Sequence, residues 1–187
     1  MPKANIPTKA ASPVLDLGRA EQMVLEMMAI PAKSGEEAIV AEYIRNKLIA
    51  AGASAESIVT DNAQKQALIS GNCGNLIFKL PGTLEAPRRM LAAHMDTVPI
   101  CVGSRPKVEG DFVRSANPAS GLGADNRSGC VTILAAALEI LERKLPHPPL
   151  TFCWFIQEEV GLYGARFVQK PLLGKPAMCF NWDGGSA

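Results

Sequence analysis

The run Leu-Thr-Phe-Cys-Trp-Phe-Ile at 150–156 is apolar at almost every position, and no other stretch constrains the fold as much. A strand with one face in water alternates polar and apolar residues. A strand apolar on both faces needs cover on both sides, which a sheet layered between helices provides. Three further short apolar runs, at 75–80, 89–93 and 177–182, have the same character and are bounded by Gly, Pro or charged residues.

Helical periodicity fills the gaps between these runs. Met23, Val24, Met27 and Met28 recur at helical spacing within 17–30, and Pro31 stops that helix. Ser34-Gly-Glu-Glu37 has the form of a capping box. The helix it would open carries Ile39, Val40, Tyr43, Ile44, Lys47 and Leu48 along one side and ends at Gly52. A long helix is predicted over 126–144 and a short one over 162–169, while 60–72 reads as irregular and 101–116 as a polar hairpin. Strands alternating with helices predict one three-layer α/β/α domain with a mostly parallel sheet over 17–187. Residues 1–16, rich in Ala, Pro and Lys, are expected to form a loosely held tail.

With 187 residues, 48% of them hydrophobic and 20% charged, the chain is long enough for a single soluble domain with an apolar core. A net charge of +1 argues against electrostatic capture of nucleic acid or of an anionic membrane. The adjacent basic pair Arg88-Arg89 reads as a solvated strand end. No run has the length of a membrane span or of a secretory signal. Five cysteines, an odd number without C-x-x-C spacing, predict free thiols in a reducing compartment, and so a cytoplasmic protein.

The candidate chemistry collects where strands end. His94 and Asp96 follow the run 89–93, Asp125 opens the long helix, Glu158 and Glu159 follow 150–156, and Asp183 follows 177–182. Ligands of open α/β sheets bind outside the carboxyl ends of the strands. Any one of these residues alone would be read as a cap or a solvated loop residue, Asp125 as the cap of the helix from 126. Together they put one imidazole and several mutually repelling carboxylates at one sheet edge. A multivalent cation is the natural resolution, and imidazole with carboxylates is a zinc-like donor set.

His94-Met-Asp96-Thr-Val-Pro99, Gly123-Ala-Asp125-Asn-Arg-Ser-Gly129, Glu158-Glu159-x-Gly161-x-x-Gly164-Ala165 and Asp183-Gly184-Gly185 resemble four successive signatures of the M20 metallopeptidases, closest to the peptidase T-like (tripeptide aminopeptidase) branch. The resemblance implies the catalytic domain of a dinuclear zinc or cobalt peptidase. His94, Asp125 and Asp183 would hold one metal and Asp125 and Glu159 the other, with Asp125 bridging. Asp96 would accept the second ring N–H of His94. Glu158 would be the general base, taking a proton from a water held between the metals and delivering it to the leaving amine. Alternation along an extended strand would point Glu158 and Glu159 to different tasks. A cis peptide between Asp125 and Asn126 is implied as well.

The same resemblance implies a further metal-binding histidine downstream, and a lid domain that often dimerises. The sequence ends at Ala187, four residues after Asp183, so it is expected to be the N-terminal part of the catalytic domain, with one well-formed metal position and its oligomeric state left open. His147, the only other histidine, precedes the strand that Glu158 follows and is expected at the opposite edge of the sheet. Short peptides are the expected substrates. N-acyl amino acids are the enzymatic alternative, and an inactive fragment binding one metal, or a chain completed by a second polypeptide, are the others.

Overall fold

The computed structural model describes residues 16–184. The tail expected over 1–16 therefore lies outside the described residues except for Asp16. That residue belongs to the fold: its carboxylate accepts the Arg19 N–H and caps helix α1 (Leu17–Ala29).

Helix α2 (Ala38–Ala50) follows, then strands β1 (Ile58–Thr60), β2 (Leu76–Leu80) and β3 (Arg89–His94). A hairpin of β4 (Pro106–Glu109) and β5 (Phe112–Ser115) stands apart as its own two-stranded sheet. Helix α3 (Ala124–Arg143), β6 (Leu150–Phe155), the single-turn α4 (Tyr163–Arg166) and β7 (Met178–Asn181) complete the order. The main sheet runs β1-β2-β6-β3-β7. β3 is parallel to both β6 and β7, whereas β2 is antiparallel to β1 and β6, so four of the five strands point one way.

Period-two burial divides the strands between two faces. Leu76, Phe78, Ala93, Leu150, Phe152 and Trp154 share a core with Met23 and Met27 of α1, Val40, Ile44 and Leu48 of α2, and Ile133, Leu134 and Leu138 of α3. Phe152 stacks between Phe78 and Trp154. The alternate residues Ile77, Met90, Ala92 and Cys153 face the other way, where Val168, Leu172 and Leu173 cover them. Three helices thus form one outer layer and the segment after α4 the other.

Two local readings change. Helix α2 has no capping box: its first amide, Ala38 N–H, is taken by the side-chain oxygen of Asn72, and no side chain of its N-cap residue Glu37 caps it. Ser34 instead donates to a buried carboxylate, Asp96, at 2.6 Å, a charge-assisted bond stronger than a neutral cap. Ile39 is exposed, because the buried face of α2 is Val40, Ala41, Ile44 and Leu48. The pair Arg88-Arg89 is only half a solvated strand end, since Arg88 donates to the Leu150 carbonyl and, at 3.2 Å, to Thr151 Oγ1.

Candidate metal centre

Parallel pairing of β3 with β6 and β7 brings three carboxyl ends side by side. His94 is the last residue of β3 and pairs with Phe155, the last of β6. The chain leaving β7 is held by Trp182 N–H on the Ala92 carbonyl, which delivers Asp183 beside His94. The start of α3 supplies Asp125. Gly123 adopts φ +78° at its N-cap, and the peptide between Asp125 and Asn126 is cis.

Gly129, in the first turns of α3, lets β7's exit approach the helix. Asn126 Nδ2 donates to the Trp182 carbonyl at 2.6 Å, and Asn126 Oδ1 accepts the Gly129 N–H at 3.0 Å. A Cβ at Gly129 would collide with both acceptor oxygens. In Gly129→Ala the overpacking cost of about 1–3 kcal/mol is expected to outweigh the gain of about 1 kcal/mol in helix propensity. Thermal unfolding should show a lower Tm, and metal titration a weaker site, as Trp182 and Asp183 are pushed away.

The structure brings all six sequence-predicted residues together. His94 is buried, and its Nε2 lies 3.2 Å from Asp125 Oδ1, 3.5 Å from Asp183 Oδ1 and 3.7 Å from Glu158 Oε2. Ligand atoms of His94, Asp125 and Glu159 all lie within 4.8 Å of one another. The other ring nitrogen, Nδ1, faces oxygen alone: the Asp96 main-chain carbonyl at 3.0 Å and its Oδ1 at 3.3 Å. Nδ1 therefore carries a proton, and Nε2 is the ring nitrogen that faces the carboxylates. Asp125 and Asp183 are open to solvent, so the mouth is accessible while its floor is buried.

Asp96 does more than orient the ring. Its carboxylate has no exposure and accepts Ser34 Oγ–H, Glu158 N–H at 2.9 Å and Glu159 N–H at 3.2 Å in addition to its contact with His94. Burial opposes its charge, but the His94 and Ser34 hydrogen bonds and the Glu158 amide hold it below its usual value. Glu158 and Glu159 do not continue an extended strand. β6 ends at Phe155, Gln157 has φ +50°, and the Glu158 carbonyl accepts the N–H groups of both Gly161 and Leu162 in a turn. Strand alternation consequently has no part in separating their roles.

Several supporting residues had no long-range signature in the sequence. Glu37 is fully buried and accepts the N–H groups of Gly35 and Gln157. Asn75 accepts Ile156 N–H and donates to the Gly164 carbonyl and to Asp61. Cys130 donates its thiol to the His94 carbonyl. The one available signal was Ser34-Gly-Glu-Glu37, which has a local explanation that happens not to apply. His147 sits at the other end of β6, next to Pro148 and Thr83 and away from the cluster.

The donors fit a divalent cation. Several carboxylates converge on one imidazole nitrogen, and without a cation the imidazole itself takes on positive charge: burial lowers its pKa, but Asp96, Asp183 and Glu158 outweigh that and raise it to about 9. Burial raises Glu158 and Glu159 above the usual carboxylate range. His94 opposes this, and the neighbouring carboxylates reinforce it. A proton and a metal compete for the same Nε2, so metal affinity is expected to rise about tenfold per pH unit below about pH 9 and to level off above it. Titrations across that range, with proton release measured by calorimetry in buffers of different ionisation enthalpy, check this. In the metal-free protein the sign reverses. A folded-state pKa raised from 6.5 means stabilisation that is full below about 6.5 and lost as pH rises through about 9.

The sequence profile of Peptidase family M28 matches residues 75–187, well over half of the chain. Among curated proteins, the uncharacterized protein YqjE of Bacillus subtilis is 28% identical over 150 residues, covering 80% of this chain and 38% of its own length. A probable carboxypeptidase of Emericella nidulans is 32% identical over 161 residues, covering 83% and 33%. A tripeptidase from Staphylococcus aureus superposes with a TM-score of 0.82 at 28% identity, over 92% of this chain and 44% of that one. A dinuclear metal-binding peptidase of the M20 family from Bacillus subtilis superposes with a TM-score of 0.60 at 18% identity, over 90% and 43%, a likeness of fold alone. The tripeptidase agrees with the peptidase T-like resemblance of the motifs. The chain spans between a third and two-fifths of the length of the curated relatives it matches.

Proposed function

The chain belongs to peptidase family M28, and from that premise we propose that it carries the metal-binding and proton-transfer residues of a centre that hydrolyses short peptides. The observation that supports this most is the convergence of Asp125, Asp183, Glu158 and Glu159, from two strand ends and one helix start, on the buried His94 at the end of the parallel strand between them. His94, Asp125 and Asp183 would hold one divalent ion and Asp125 and Glu159 a second, zinc or cobalt suiting imidazole with carboxylates. Bound there, the ions supply Lewis acidity that activates water and polarises a carbonyl.

The chain's own residues do the rest. Asp96 keeps the His94 proton on Nδ1 and holds the amides of Glu158 and Glu159. Glu158, half-buried and raised above the usual carboxylate range chiefly by burial, is suited to accept a proton from water and to return it to the leaving amine. The five cysteines are all unpaired, which fits the reducing compartment of a cytoplasmic enzyme. No helix among the described residues is long and apolar enough to cross a membrane.

The test is a panel of tripeptides, dipeptides and N-acyl amino acids offered to the protein before and after chelation. Hydrolysis of tripeptides that chelation abolishes and zinc or cobalt restores is the expected result. Turnover of N-acyl amino acids alone would reassign the substrate. Hydrolysis that survives complete metal removal would sink the proposal.

A further inference from the structure

We propose that Glu37 is a positioning residue for Glu158 and Glu159, acting through the backbone of Gln157. The inference rests on the peptide-hydrolysis reading for the roles of those two glutamates. Its own evidence is geometric.

Glu37 stands 120 residues before Gln157 and has no exposure, and the only local bond its carboxylate makes is to the Gly35 amide. It does not cap α2, whose first amide is taken by Asn72. Its Oε2 has no hydrogen-bond partner among the described residues. Only Oε1 is used, accepting Gly35 N–H at 2.8 Å and Gln157 N–H at 3.0 Å. Burying a carboxylate for two backbone amides is costly unless those bonds are needed.

The need lies at Gln157. Its φ of +50° falls in the left-handed region, which a residue with a side chain occupies only when its surroundings enforce it. The residue is wholly buried, and its Nε2 is tied to the Ile69 carbonyl at 3.2 Å. The next two amides, Glu158 and Glu159, both end on Asp96. Three successive N–H groups are thus gripped by two buried carboxylates, Glu37 on the first and Asp96 on the second and third. Without Glu37, the first of these three amides would lose its acceptor at the residue whose backbone is left-handed.

Four variants test this, read by hydrogen exchange of the 157–159 amides, Co2+ titration, and kcat and KM on a tripeptide. Glu37→Leu is expected to speed exchange at these amides, weaken Co2+ binding by about 10- to 100-fold and lower kcat with KM within about twofold. Glu37→Gln keeps the accepting oxygen and should stay within about threefold of the parent. Adding Gln157→Gly to Glu37→Leu should recover Co2+ affinity at least in part, because glycine takes positive φ unaided. Glu37→Asp keeps a carboxylate but falls one methylene short, and should behave like Glu37→Leu; it decides the matter if the leucine variant does not fold. Parental exchange and Co2+ affinity in Glu37→Asp, or equal damage from Gln and Leu, would overturn the proposal. Exchange and Co2+ binding need no turnover. A parent protein inactive on peptides would therefore count against the functional reading, and those two measurements would still judge Glu37.

Discussion

Glu158→Gln is expected to lower kcat for tripeptide hydrolysis by about 10²- to 10⁴-fold, the range over which a positioned general base contributes. The substitution preserves shape, and the Glu158 contact to Asp96 is made by the backbone amide and survives. Metal content and Tm should therefore stay close to the parent's. The side chain contacts His94 Nε2 only at 3.7 Å, beyond the Asp125 and Asp183 oxygens, so its loss removes proton transfer before it removes a ligand. Steady-state kinetics alongside elemental analysis separates the two effects. A variant that loses metal in proportion to its activity would make Glu158 a ligand and leave the base unassigned.

The second large effect is expected at Asp96. Asp96→Ala leaves Ser34 Oγ–H and two amides without their acceptor, all of them buried or half-buried, and strips the carboxylate from His94 Nδ1, which keeps only the main-chain carbonyl of residue 96. An unsatisfied buried group costs about 1–3 kcal/mol, so a loss of at least about 3 kcal/mol in unfolding free energy is expected. Metal affinity should fall by about 10- to 100-fold as well, as is usual for a carboxylate behind a ligand histidine. Asp96→Asn retains one accepting oxygen and should recover much of the stability but not the charge facing His94. Denaturant unfolding and Co2+ titration of both variants check the pair. An alanine variant as stable as the parent would show that the three donors find other partners.

How legible this was depends on the range of the interaction. β2, β3, β6 and β7 could be read because both of their faces are apolar, and the helices because methionine and aliphatic residues recur at helical spacing. β1 is three residues in a polar neighbourhood, too short for any period, and only its last residue falls within the stretch read as irregular. Five of the six site residues lie at strand ends or just beyond, where α/β chemistry gathers, so position and residue type together singled them out. The residues behind them were not legible. Ser34 meets Asp96 across 62 positions and Glu37 meets Gln157 across 120, and a local cap explains the same letters equally well. The separation of Glu158 from Glu159 was inferred from strand geometry that stops at Phe155. What divides them is a turn whose left-handed residue, Gln157, carries no glycine to announce it.

The pairing of β3 with both β6 and β7 also has a kinetic consequence. Asp125 and Asp183 reach His94 across 31 and 89 positions of chain, through parallel strands that share no hairpin. Contacts this distant close late, after most of the loop entropy has been spent. A metal that needs all of them binds the finished fold and offers little to the transition state. Its stabilisation should therefore appear mainly as slower unfolding, with the folding rate almost unchanged. Loss of the ion would leave the protein able to fold but quicker to open, and the sheet edge that holds the chemistry would be the first place to feel it.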